Sequence, residues 1–224
     1  MHLVIINGSP RAKEKSNTEI IIKSFISGFI KIKNTYEIYH LSNKEMWDKA
    51  KKSFEKNENI LIAFPLFAET IPSDLIEFLK GVLYQPTTKK KKISFILQSA
   101  SLEACQRKCC EVFLERIVNN SGYCFGGVLS IGDMFGLWLN DERPKQKLKT
   151  VEKAAVYFSK NGNFGDFERS ELKGPDSVGM DEARLLNRFH KFVINEYAEI
   201  LGCTEDLRKR PLENVSQIDN VQEV

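Results

Sequence analysis

The sequence predicts an α/β domain built on a doubly wound, five-stranded parallel sheet with an extra C-terminal helix. Three observations predict it. Five short apolar runs alternate in order with stretches of helical periodicity. The third and fourth runs, Ile60–Phe64 and Ile93–Leu97, are apolar at most positions, as strands covered on both faces are. The loops after the first, third and fourth runs carry hydroxyls or an aromatic, at the edge where such sheets bind ligands.

The strands expected in order are Leu3–Ile6, Tyr36–His40, Ile60–Phe64, Ile93–Leu97 and Tyr123–Ile131. A first helix over Thr18–Ile30 gathers Ile21, Ile22, Phe25, Ile26 and Phe29 on one face. A second over Lys44–Glu55 turns Trp47, Ala50 and Phe54 inward. The third, Pro72–Leu83, begins with a proline where a missing N–H costs nothing, and Leu75, Ile76 and Leu79 make its stripe. A fourth spans Leu102–Val118 and a fifth Gln146–Tyr157.

Residues 161–179, "NGNFGDFERSELKGPDSVG", are rich in turn formers and read as irregular. A last helix, Asp181–Leu201, carries Leu185, Phe189, Phe192, Val193, Tyr197 and Ile200, and Gly202 can end it. From Thr204 to Val224 large apolar residues are few, and a loose tail is expected. The organisation is thus a domain over 1–160, an extension over 161–203 and a tail over 204–224. "KKKK" at 89–92 reads as a solvated turn rather than a binding patch.

Composition excludes several classes. With 33 basic and 30 acidic residues the net charge is +3, which gives no argument for nucleic acid. No stretch approaches the roughly 18 apolar residues of a membrane span. "LVII" is too short to be a signal core, and five cysteines without a paired framework read as reduced thiols in a cytoplasmic protein. His2, His40 and His190 fall in no metal-ligand spacing, so no metal is expected. Cys105 and Cys109 share a helical face with Val112, Phe113 and Ile117, the spacing of core contacts rather than of a cluster site. There is no G-x-S-x-G elbow either.

The loop "NGSPRAKEKSNT", leaving the first strand and entering the first helix, is the chemical clue. Such a junction exposes unpaired N–H groups at the positive end of a helix, which favours anions and phosphate above all. Gly8 permits close approach, Ser9, Ser16 and Thr18 supply hydroxyls, Asn17 an amide and Arg11 a planar cation. The triphosphate loop would need Gly-Lys-Ser/Thr and the dinucleotide loop G-x-G-x-x-G; neither is here. A terminal monophosphate remains, and a solvated, capped loop is the bland alternative. After the third strand, "FPLFAETIPSDLIEFLKG" sets the aromatic Phe67 in a polar loop on the same edge, where it could stack on a flat ring or turn into a core or subunit contact.

"GSPR" followed by "SNT", together with "FPLFAETIPSDLIEFL" after the third strand, resembles the NADPH-dependent FMN reductases and NAD(P)H:quinone oxidoreductases of the flavodoxin-like class, over about the first 130 residues. The resemblance implies a flavodoxin-like fold and a flavoprotein. It implies that Ser9, Arg11, Ser16, Asn17 and Thr18 hold the FMN phosphate. Pro65, Leu66, Phe67, Ala68, Glu69 and Thr70 would border the ring and ribityl chain, joined by Ser99, Ala100 and Ser101. NADPH or NADH would donate hydride, and a quinone, a free flavin, a nitro or azo compound or another acceptor would take the electrons. The flavin carries the chemistry, so no catalytic side chain is required. Relatives are commonly homodimers, and Trp138 and Leu139 are the expected contact. Two departures stand out: many relatives have tyrosine where this chain has Phe67, and the third loop, "QSASLEA", lacks the glycine common there. "GGVLSIGDMFG", with Asp133, reads equally as packing near cofactor or partner and as a plain strand bend. The alternatives to an enzyme are an FMN electron carrier, which a net charge of +3 disfavours, and a non-catalytic module of the same fold.

Overall fold

The computed structural model describes residues 1–67, 70–84, 91–137 and 142–181, with 183, 184, 192, 194–196, 198, 199, 202 and 204 beyond them. The chain divides into two compact units, Met1–Ser177 and Val178–Val224. In the second, Ala183 N–H bonds to the Gly179 carbonyl, and most of the helix expected over Asp181–Leu201 and the tail lie outside the described residues.

The first unit is the expected sheet. Strands β1 (His2–Asn7), β2 (Thr35–His40), β3 (Asn59–Pro65), β4 (Lys92–Gln98) and β5 (Cys124–Ile131) are all parallel, in the order β2-β1-β3-β4-β5. That order is the flavodoxin-like one, and it reverses between β1 and β3. Helices α1 (Asn17–Phe29), α2 (Trp47–Lys56), α3 (Ser73–Leu83), α4 (Cys105–Asn120) and α5 (Glu142–Asn161) connect and cover the strands.

Because side chains alternate along a strand, each strand feeds two cores. Val4, Ile6, Ile62, Phe64, Phe95 and Val128 pack against α2, α3 and α4. Leu3, Ile5, Leu61, Ala63, Ile96 and Ile131 pack against α1 and α5. In the second core Phe25, Phe29, Phe158 and Phe164 form an aromatic cluster with centroids 4.9–6.5 Å apart. Burying each such ring stabilises by roughly 1.5–3 kcal/mol. Gly28 lets α1 approach α5 closely: a β-carbon there would lie 2.2 Å from the Glu152 carbonyl oxygen.

Three expectations need correction. Residues 161–179 are not all irregular, for Asp166–Lys173 form a further helix, α6. Gly165 opens it in extended conformation, Gly174 ends it at φ 75°, and Leu172 is its one buried residue. Two turns between glycines are too short for an apolar period to register.

The lysine run is not a solvated turn throughout. Lys91 is 2% exposed, and its ammonium donates to the carbonyls of Phe54, Glu55 and Asn57 at 2.7, 2.7 and 2.8 Å, closing the C-terminal end of α2. A cation there satisfies orphan carbonyls and complements the helix dipole.

Cys105 and Cys109 are exposed, as are Val112 and Phe113, so that face of α4 is not the core face. The buried stripe is Arg107, Cys110, Leu114 and Val118, one position round the helix. A buried arginine interrupts the apolar period of the true core face, so the sequence favours the neighbouring one. Among the described residues no group of three or more His, Cys, Asp or Glu is placed to hold a metal ion, and no helix is long and apolar enough to cross a membrane.

Candidate functional site

The ladders run one bond past the strand ends and bring three loops to one edge. Gly8 N–H donates to Ala63 O at 2.8 Å, Leu66 N–H to Gln98 O at 2.8 Å and Ser99 N–H to Ile131 O at 3.0 Å. Gly8 is needed for the first approach, since a β-carbon there would lie 3.2 Å from Phe64 Cβ and 2.9 Å from a Leu75 methyl.

The first loop is built from inside. Asn7 Oδ1 accepts from Ser9 N–H at 3.0 Å, Ser9 Oγ from Arg11 N–H at 3.3 Å, and Ser16 Oγ from Glu19 N–H at 3.3 Å as the N-cap of α1. Thr18 Oγ1 accepts from Gln98 Nε2 at 3.5 Å. Ser9, Ser16 and Thr18 are thus buried, and their oxygens are engaged; what they can still offer a ligand is the hydroxyl proton. The stretch "AKEK" makes a 3₁₀ turn at Lys13–Lys15 on the outside, with Arg11 and Lys13 exposed.

Beneath this loop lies a carboxylate that sequence reading passed over. Glu19 is buried, accepts from Asn7 Nδ2 at 3.2 Å, contacts His40 Nε2 at 2.8 Å, and has Lys13 Nζ at 3.8 Å. Its signal was positional: Ser16 and Glu19 stand in the Ser-x-x-Glu spacing of a capping box.

Asn17 joins the first loop to the far side of the site. Its Nδ2 donates to Met134 O at 3.0 Å, and Met134 N–H donates to Ser99 O at 3.0 Å. Asn17 Oδ1 is buried with no partner among the described residues. Asp133, beside Met134, has φ 56° and stands 3.7 Å from Lys147 Nζ, so the "IGDM" stretch is a strand exit with a left-handed turn.

In the second loop Pro65 is buried as the last residue of β3 and Leu66 is half-buried. Phe67 is 42% exposed, which takes it out of the core. It exchanges backbone hydrogen bonds with Thr70 at 3.1 and 2.9 Å, and Thr70 Oγ1 donates back to Phe67 O at 2.7 Å. Ala68 and Glu69 lie outside the described residues, as do Trp138 and Leu139.

The third loop folds over the buried guanidinium of Arg107. Nη1 donates to Ser99 Oγ, Ser101 O and Glu103 O at 3.2, 2.9 and 3.1 Å, Nε to Ser130 Oγ at 3.0 Å, and Nη2 to Lys173 O. Burial pulls this group down from its usual value and the Glu111 carboxylate opposes that; it stays a cation. Sequence reading missed Arg107, although a charge on the apolar stripe 107–110–114–118 was there to see.

The donors left over define what the edge can take. Among the described residues, the N–H groups of Asn17 and Thr18 in the first loop, and of Ala100, Ser101 and Leu102 in the third, have no acceptor. One set lies at the start of α1, at the end of the loop that also carries Arg11, which suits a phosphate. The other, on a peptide loop at the same edge, suits a carbonyl-bearing heterocycle, and the orphaned Asn17 Oδ1 suits a hydroxyl. These groups fit the phosphate, the polyol and the ring of the flavin mononucleotide that the resemblance implies.

No family model and no curated protein matches the sequence. The fold does match solved structures. The NAD(P)H:quinone oxidoreductase from Methanothermobacter marburgensis superposes with TM-score 0.55 at 15% identity, over 73% of this chain and 99% of that one. The oxidised flavodoxin 1 from Bacillus cereus gives 0.53 at 13%, over 72% and 99%. The azoreductase from Bacillus anthracis gives 0.51 at 12%, over 70% and 98%. At such identities the likeness is one of fold, and that fold is flavodoxin-like.

Proposed function

We propose that this chain is an FMN-dependent oxidoreductase that takes electrons from NADPH or NADH and passes them to a small-molecule acceptor such as a quinone, a flavin or a nitro or azo compound. The observation that carries the reading is the pair of unpaired N–H sets on one sheet edge, tied together through Asn17, Met134 and Ser99. The two sequence motifs at those loops, and the names borne by structures of the same fold, support it.

FMN held there would supply the redox chemistry as a hydride acceptor, and the chain's residues would meet the charge that develops at its pyrimidine end. The chain's part is to bind and orient. Asn17 and Thr18 N–H, the Ser9, Ser16 and Thr18 hydroxyl protons and Arg11 hold the phosphate. Three or four such bonds contribute roughly 1.5–3 kcal/mol each. Pro65, Leu66 and Phe67 with Ala68, Glu69 and Thr70 wall the ring, and Phe67 offers a stacking face without a hydroxyl. The N–H groups of Ala100, Ser101 and Leu102, beside Ser99, act as preorganised donors where charge develops.

The same reading carries a homodimer in the cytoplasm. Ile76 on α3, which was expected on its inner stripe but is exposed, supplies apolar surface for a second subunit with Tyr84 just after α3 and Val112 and Phe113 on α4. A monomer by light scattering at micromolar concentration removes that part.

The test is direct. The purified protein is expected to bind FMN, to show a yellow chromophore and to oxidise NADPH or NADH with menadione. Bound FMN without nicotinamide oxidation selects an electron carrier, and failure to bind FMN after reconstitution selects a non-catalytic module. Arg11→Ala is expected to weaken FMN about tenfold while riboflavin changes little, because only FMN has the phosphate; equal weakening shows that the loop holds something else.

A further inference from the structure

Arg107 carries an inference that rests on the FMN reading and goes beyond it. We propose that Arg107 is the positioning residue of the third loop: its buried guanidinium turns the loop's carbonyls inward, so that free N–H groups and a fixed positive charge act together on the charge that reduction leaves on the flavin.

The geometry is specific. Arg107 is 0% exposed, and none of its five hydrogen bonds ends on a carboxylate. In a trans peptide C=O and N–H point opposite ways. Ser101 O is held inward by Arg107 Nη1 and by Asp133 N–H at 2.9 Å, which aims Leu102 N–H away from the guanidinium. Ser99 O is held by Met134 N–H, which aims Ala100 N–H away from Met134 in the same manner.

The third loop, "QSASLEA", has no glycine. A cation that gathers carbonyls on one side of the loop leaves donors on the other side without left-handed backbone. Hydrogen bonding does not neutralise the charge. Glu111, four residues on along α4, is the carboxylate whose charge acts on it, and Glu111 Oε1 is itself buried without a partner among the described residues.

The experiment measures the affinity of oxidised and reduced FMN and the two-electron midpoint potential of the bound cofactor. Arg107→Met is expected to weaken reduced FMN at least tenfold more than oxidised FMN, lowering the potential by about 30 mV for each tenfold. Arg107→Lys keeps the charge but not the fork, so it is expected to leave the potential within a twofold affinity ratio while weakening oxidised FMN about tenfold. Glu111→Gln removes the opposing charge, and it is expected to raise the potential even if Arg107→Met does not fold. An unchanged potential in Glu111→Gln or in folded Arg107→Met overturns the electrostatic half. A flavin-free crystal structure of Arg107→Lys decides the positional half: the Ser101–Leu102 peptide is expected to turn, and an unmoved peptide overturns the claim. Wild-type protein that binds no FMN overturns the functional reading and the electrostatic half with it, while the flavin-free structure still decides whether Arg107 sets the loop.

Discussion

Asn17 donates to the Met134 carbonyl at 3.0 Å across 117 positions of sequence, and this bond ties the start of α1 to the exit of β5. Asn17 N–H is also one of the two donors left free at that helix start. On the proposed reading, Asn17→Asp therefore places a carboxylate beside the FMN phosphate. At about 4 Å and an effective dielectric near 20, such repulsion amounts to about 4 kcal/mol before relaxation. FMN affinity is expected to fall at least tenfold and riboflavin affinity much less, as read by fluorescence titration of both ligands. Equal losses would point to a collapsed loop instead.

Lys91 bears on stability rather than on ligand binding. Its ammonium serves three carbonyls at the end of α2, and nothing apolar can replace it. Lys91→Met is expected to destabilise the protein by roughly 2–4 kcal/mol, since hydrogen bonds to a charged group are lost and buried acceptors are left bare. Urea unfolding followed by circular dichroism measures this. A change below 0.5 kcal/mol, on the order of a neutral surface substitution, would show the cap to be idle.

The cysteines should separate by reactivity. Burial pushes the Cys110 thiol up to about 12, with the charges of Glu111 and Cys109 adding to it, whereas Cys105, Cys109 and Cys124 are exposed. Only a thiolate attacks an alkylating reagent. Iodoacetamide at pH 8 is thus expected to modify Cys105, Cys109 and Cys124 in the native protein and to spare Cys110 until the chain is unfolded. Peptide mass mapping reads the outcome, and early labelling of Cys110 would place the buried stripe of α4 elsewhere.

Glu37 on β2 gives a pH dependence. Burial alone would raise its carboxyl, but hydrogen bonds from Ser53, Tyr39 and His2 outweigh that and hold it below its ordinary value of 4.5. A depressed carboxylate contributes stability that is present above the unfolded value and lost as pH falls through the lower folded one. Glu37→Gln is expected to be less stable than wild type at pH 7, with the gap narrowing below about pH 4.5 as the wild-type carboxylate takes up protons. Acid titration of both proteins checks the sign; a gap that widens on acidification contradicts it.

Much of the fold was readable because it rests on period. Runs such as Ile60–Phe64 declare a strand buried on both sides, and Phe25 with Phe29 declares the inner face of α1. What was not readable depends on partners distant in sequence. Lys91 looks like any lysine in a basic run until α2 presents three carbonyls to it. Arg107 breaks an apolar stripe, and its fork is satisfied only once the third loop, Ser130 on β5 and Lys173 close round it. The first loop lay between: the residue types around Ser9 and Asn17 suggest an anion, whereas the engagement of the Ser16 and Thr18 oxygens inside the protein is a tertiary fact.

The short return after α6 has a consequence for where the molecule ends. Pro175 and Asp176 lend their carbonyls to the N–H groups of Ala104 and Cys105, Leu172 lends its own to Gly132, and Gly174 lies so near Leu102 that a β-carbon would come within 2.8 Å of its carbonyl oxygen. These few residues act as a buckle across the beginning of α4. A version trimmed just after the fifth helix would keep every strand yet undo that fastening.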